Sequence, residues 1–198
     1  MSKVRRWVNK YSELEFLQAE GEPYNWGEHR EKAFNFLMLV EIIAVDSFRE
    51  VVVSFPKIKI AHTLLSKILD TNYPFAHAEL MTDGKRIFHR HLDESLLGVD
   101  ENQQFSFTKL VAPYCKKIDF QDKTQLAERF WPLGKDHEIV VDPNHSFGQP
   151  IIKGTNITVE TIYSMLSAGE SPEFVASVYE INLNAIEDVL SFMERDVA

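Results

Sequence analysis

The densest punctuation in this chain lies between Ile139 and Ser171, and it fixes what the last third can fold into. Two short β-branched runs, Ile139-Val140-Val141 and Ile151-Ile152, flank a turn region built from Asp142-Pro143-Asn144 and Gly148-Gln149-Pro150, which reads as a β-hairpin. A second turn at Gly154 leads to Thr158, whose hydroxyl is placed to accept from the orphan amides of a first helical turn. Val159, Ile162, Tyr163 and Leu166 then form an inward stripe, and Gly169 offers the left-handed residue that stops a helix. Ser171-Pro172-Glu173 supplies a cap, a first-position proline and a first-turn acid, so a second helix starts at once. Asn184 is expected to cap a third, carrying Ile186, Val189, Leu190 and Met193. The spacing is that of a helix-turn-helix.

Its charge is wrong for reading DNA. Residues 137–198 hold ten acids and two basic residues, whereas residues 1–136 hold twenty acids and nineteen basic ones. From Gly154 to Glu194 there is no Lys or Arg. The outer face of the third helix is expected to present Glu187, Asp188, Ser191 and Glu194, where base-edge readout favours Arg, Lys, Asn and Gln. Carboxylates at that position point to protein contact, and Glu187, Asp188 and Glu194 are the candidate partner-binding residues. The first eleven residues carry Lys3, Arg5, Arg6 and Lys10 and no acid, so any phosphate contact is assigned to those four side chains.

Upstream, Val4 to Tyr11 reads as a short basic helix, and Leu14 to Gly27 as a hairpin or irregular loop. Glu28 to Glu50 is the strongest helical stretch, apolar almost all round and therefore central. Glu41 points away from its polar strip; it is either a catalytic acid or, the blander reading, a buried carboxylate paired with an Arg. Lys57 to Leu69 follows as a second helix and Tyr73-Pro74-Phe75 ends it. Asp83-Gly84 suits the turn of a hairpin between Ala78–Thr82 and Lys85–His89. Phe105 to Tyr114 is a further candidate helix, and Lys116 to Lys135 reads as irregular.

No constellation supports catalysis. His77, His89 and His91 could approach one another across the hairpin, but no Asp, Glu or Cys stands at a ligand interval, and strand histidines among basic residues are the simpler reading. Asp142, His145 and Ser146 look superficially like a triad, yet they lie too close in sequence to line separate walls of a cleft. No nucleotide loop, CxxC pair or metalloprotease motif is present, so neither cofactor nor metal is expected. A single cysteine, Cys115, forms no internal disulfide and suits a reducing cytoplasm as a structural thiol. No apolar run approaches a membrane span and the N-terminus lacks a signal-peptide core, so a soluble cytoplasmic protein without a membrane partner is expected.

The stretch Asp142-Pro143, Gly148-Gln149-Pro150, Ile152, Gly154-Thr155-Asn156-Ile157 and Ala168-Gly169-Glu170-Ser171-Pro172-Glu173 resembles the domain-of-unknown-function family 433. Asn156 stands where that pattern has Arg, which removes a strong hydrogen-bonding fork. Arg6-Trp7, Phe36 to Glu41, Tyr73 to Ala76, Thr82 to Arg86 and Trp131 to Gly134 resemble antitoxins of the VapB type, which join a winged-helix domain similar to the MerR regulators to this module. The resemblance implies a non-enzymatic antitoxin paired with a PIN-type ribonuclease toxin and repressing its own operon through operator DNA. In such proteins a helix precedes the Arg-Arg-Trp segment, and almost nothing stands ahead of Val4 to form it.

The fold expected is mainly α with short β-hairpins: a winged-helix-like N-terminal part, then a C-terminal three-helix, helix-turn-helix-like bundle preceded by a β-hairpin. The boundaries expected are an incomplete winged-helix-like domain over 1–112, a linker over 113–136 and the module over 137–198. Broad apolar stripes on the helices point to a homodimer, cyclic dimers being the commonest oligomers. A stand-alone dimeric regulator or adaptor without a toxin is the alternative function.

Overall fold

A computed structural model describes residues 25–26, 33–50, 53–82 and 114–197, and it divides into two compact units. The basic segment carrying Lys3, Arg5, Arg6 and Lys10, the Lys85–His89 half of the expected hairpin, His91, and nearly all of the helix expected from Phe105 lie outside the described residues.

The described part of one unit covers 25–82, with gaps, together with 114–115 and 120–127. Strand β1 (Asn25–Trp26) pairs antiparallel with β2 (Ala33–Phe34), and helix α1 runs over Phe36–Glu50. The helix therefore starts eight residues after the Glu28 expected from its apolar pattern. Asn35 is the reason: its carboxamide accepts the Met38 amide at 2.7 Å while its carbonyl accepts Leu39 N–H at 3.2 Å, which is an N-cap. Beyond that point α1 buries Met38, Val40 to Val45 and Phe48, matching the expectation of a central helix. Helix α2 (Phe55–Leu69) opens on Ser54 and Pro56, buries Ile58, Ala61, His62 and Leu65, and stops at Asp70 in the left-handed region (φ 49°). A 3-10 turn follows over Pro74–Ala76, all three residues buried. Residues 79–82 then form a short helix, α3, where a strand was expected; the alternation Ala78-Glu79-Leu80 fits one helical turn as well as a strand, and Leu80 is buried in it.

The other unit holds 116–119 and 128–197 among the described residues. Strands β3 (Ile118–Phe120) and β4 (Ala127–Phe130) occupy the stretch expected to be irregular. Their connection carries no Gly or Asn, and Gln125 takes the left-handed position (φ 57°), so the usual hairpin signal was missing. Strands β5 (Ile139–Val141) and β6 (Pro150–Ile152) pair antiparallel as expected, with Ile139 opposite Ile152 and Val141 opposite Pro150, and the sheet order is β3-β4-β5-β6. Strand alternation gives that sheet two apolar faces. Ile139 and Ile152 join the main core, while Val140 and Ile151 pack with Trp131. The Trp131 indole donates to Asp119 Oδ2 at 2.8 Å, so its polar edge is satisfied while its ring is buried.

Gly154 (φ 76°) turns the chain out of β6, and the Thr155 hydroxyl clamps that turn, donating to the Ile152 carbonyl at 2.9 Å and accepting the Ile157 amide at 3.0 Å. Helices α4 (Val159–Ser167), α5 (Pro172–Tyr179) and α6 (Leu183–Val197) follow. Thr158 and Ser171 cap the first two through Thr161 and Phe174 amides, as read from the sequence. The third cap is corrected: Asn182, not Asn184, accepts the Ala185 amide at 2.7 Å. Starting the helix at Leu183 turns Ala185, Ile186 and Val189 into the core formed with Ile162 and Val175. The α4 stop is a Schellman motif, with Gly169 N–H on the Leu166 carbonyl and Glu170 N–H on that of Met165. Gly169 sits at φ 99° with open space where a Cβ would be, so only backbone conformation resists substitution. Gly169→Val is expected to cost about 1–2 kcal/mol, read as a shift of the urea midpoint at unchanged slope.

Candidate functional site

Helix α6 divides its surface sharply. At 100° per residue, Leu183, Glu187, Leu190 and Glu194 fall within one narrow sector, and all four are exposed. Leu183 and Leu190 keep 46% and 38% of their surface in water, on a helix whose opposite face joins the core. Helix α5 adds Phe174 and Val178, one turn apart and half exposed. Of the six exposed large apolar side chains among the described residues, only Ile60 belongs to the other unit. Five of the six thus lie on this module.

The three candidate partner residues are thus placed differently. Glu187 and Glu194 share the exposed strip. Asp188 does not: its carboxylate lies 2.7 Å from His137 Nδ1 and accepts the Glu138 amide at 2.7 Å, which ties α6 to the chain just before β5. A helical wheel puts Asp188 outside because its partners are fifty residues away in sequence. Removing it leaves the Glu138 amide short of an acceptor, so Asp188→Ala is expected to cost about 1–3 kcal/mol. Glu187→Ala, on the open side, should change stability by about 0.5 kcal/mol at most in the same urea titration.

The triad-like group Asp142, His145 and Ser146 is a turn. Asp142 Oδ1 accepts the Asn144 amide at 2.9 Å, and its Oδ2 lies 3.0 Å from Arg129 Nε and 3.2 Å from His145 Nδ1. Burial pushes the Asp142 carboxyl up, but the Asn144 amide and Arg129 outweigh it and hold the group below its ordinary value. A depressed folded pKa means this contribution to stability is present above the ordinary carboxylate range and fades as pH falls through the folded value. Ser146 Oγ donates instead to the Asn156 carbonyl at 3.0 Å, so it makes no nucleophile–base pair with His145. Ser146, Phe147 and Gly148 all have positive φ, and Phe147 stands fully exposed. Nothing in the sequence signalled that left-handed run beyond Gly148.

In the other unit, Glu41 is almost fully buried but its partners are not those expected. Its Oε1 accepts the Phe75 amide at 2.7 Å and the Ala76 amide at 3.1 Å, and its Oε2 lies 3.3 Å from His62 Nε2. The carboxylate joins α1 to α2 and to the 3-10 turn, a structural use rather than an acid poised in a cleft. The His62 and Phe48 rings each meet Phe75 edge-on. His77 is buried, which lowers its pKa against a smaller opposing effect of Glu79, and it bridges to Leu126. Burial pushes the Cys115 thiol up to about 12, so it is an unreactive structural group at neutral pH. Among the described residues no group of His, Cys, Asp and Glu could hold a metal ion, and no helix is long and apolar enough to cross a membrane.

Residues 139–193 match the family model described as "Protein of unknown function (DUF433)". The chain is 25% identical over 179 residues to a Mycobacterium tuberculosis protein named "Putative antitoxin VapB45", covering 85% of this chain and 74% of that one. A second protein of that organism, "Uncharacterized protein Rv2308", is 33% identical over 58 residues, 29% of this chain and 24% of the other. The crystal structure of Rv2018 from the same organism superimposes with a TM-score of 0.67 at 22% identity, over 84% of each chain, and shares the fold. Residues 139–193 thus resemble the DUF433 family, and the chain resembles a VapB-type protein over most of its length, in agreement with the motifs read from its sequence.

Proposed function

We propose that this chain is the antitoxin of a type II toxin–antitoxin pair, a non-enzymatic cytoplasmic protein that neutralises a PIN-type ribonuclease by direct contact. The observation that carries this reading is the similarity, along 85% of the chain, to the relative named "Putative antitoxin VapB45". The charge of the C-terminal module supports it. A ribonuclease must attract a polyanion, so its substrate surface is cationic, and a carboxylate-rich protein face is the complement of such a surface. In this reading Glu187 and Glu194 face the toxin, Asp188 holds α6 in place behind them, and the protein acts as a homodimer. Contact with its own operator DNA, and hence repression of its operon, falls to Lys3, Arg5, Arg6 and Lys10.

The test starts from the genome. A PIN-type reading frame beside this gene, expressed alone, should arrest growth, and co-expression of this chain should restore it and yield a co-purifying complex. Arrest that this chain does not relieve would overturn the proposal.

A further inference from the structure

The exposed strip of α6 has more character than negative charge alone. Leu183, Glu187, Leu190 and Glu194 alternate apolar and acidic groups at steps of four, three and four residues, so each leucine has a carboxylate one turn away on the same face. Between Lys153 and Arg195 the chain contains seven carboxylates and no Lys, Arg or His to neutralise them. The strip thus offers two apolar anchors, each with a carboxylate beside it, on a module of strongly negative charge.

We propose that this strip is the docking face for a basic amphipathic helix of a partner protein, one that presents apolar side chains and Lys or Arg on the same side at matching spacing. Helix-on-helix docking of this kind anchors through the apolar positions, while the flanking charges set partner choice and association rate. Nucleic acid does not suit the strip, because phosphates would meet carboxylates and the leucines would gain nothing. The proposal deepens the assignment of α6 as the partner face and names the partner's chemistry.

The probe is a synthetic helical peptide of about 20 residues, long enough to hold helix in water, with Leu and Arg at the i, i+4, i+7 and i+11 positions. Binding to the full chain is measured by calorimetry at two salt concentrations. The pair Leu183→Ser with Leu190→Ser, on exposed positions, should weaken binding at least about tenfold. The pair Glu187→Gln with Glu194→Gln should weaken it several-fold and flatten its salt dependence. The control pair Glu160→Gln with Glu170→Gln, exposed on other parts of the module, should leave it unchanged.

Equal loss from the control pair would reduce the effect to net charge and overturn the proposal. So would full binding by the serine pair, or a dimer of the free chain that the serine pair dissociates, which would give the strip to a second copy. Relief of toxin growth arrest, scored with the same variants, keeps the two readings apart. Relief by the serine pair equal to that by the original chain sinks the docking face and leaves the antitoxin. Peptide binding without relief by the original chain does the reverse.

Discussion

Replacing Glu41 with Ala is expected to destabilise its unit by about 3–5 kcal/mol, a larger loss than at any surface position. The carboxylate is 1% exposed and serves three partners: two backbone amides of the 3-10 turn and the His62 imidazole. Truncation leaves both amides without this acceptor and the imidazole without this neighbour, in a site too buried for water to take over freely. Glu41→Gln keeps an oxygen for the amides, so its cost should fall well below that of Ala. Hydrogen exchange localises the effect: amides of α1 and α2 should lose protection in Glu41→Ala while those of α4 to α6 keep theirs. Equal stability of the Ala and Gln variants would mean that the amides do not depend on the carboxylate.

Ile162→Ala should be nearly as damaging to the C-terminal module, by about 2–5 kcal/mol. Ile162 is fully buried in the cluster that joins Ile139 and Ile152 of the sheet to Val175 of α5 and Ile186 and Val189 of α6. Four elements share it, so no single helix can shift to refill the space. Urea unfolding should report the loss, with protection falling across α4 to α6. A cost below about 1 kcal/mol would show that the module collapses around the cavity.

The C-terminal module was largely legible in the sequence because its signals are local. Thr158, Gly169 and Ser171 act within four residues of themselves, and the apolar steps from Val159 to Leu166 settle which face turns inward. Asn182 and Asn184 are both good caps, and only the core registration of Ala185, Ile186 and Val189 decides between them. Distant partners were the blind spot. The Asp188 contacts with His137 and Glu138, and the Glu41 contacts with His62 and two backbone amides, join residues far apart, and a backbone donor leaves no trace in residue identity. Likewise the strip on α6 was visible as charge, but Leu190 was grouped with Ile186, Val189 and Met193, and Leu183 fell outside a helix expected to be capped at Asn184. The β3–β4 hairpin was missed for the opposite reason: a glutamine takes the strained turn position and local chemistry gave no warning.

The two helix junctions make the module intolerant of changes in length. Only Ala168, Gly169, Glu170 and Ser171 separate α4 from α5, and only Glu180, Ile181 and Asn182 separate α5 from α6. Each junction ends one helix at a left-handed residue and starts the next at a cap, leaving no slack to absorb an extra residue. One insertion within α5 would rotate everything after it by about 100° about the helix axis, taking Val175 or Ile186 out of register with the sheet. Substitutions on the wet faces are cheap by comparison. Lineages of this module should therefore diverge by exchanging outward side chains at a constant residue count, so that new partners are acquired by repainting a fixed frame.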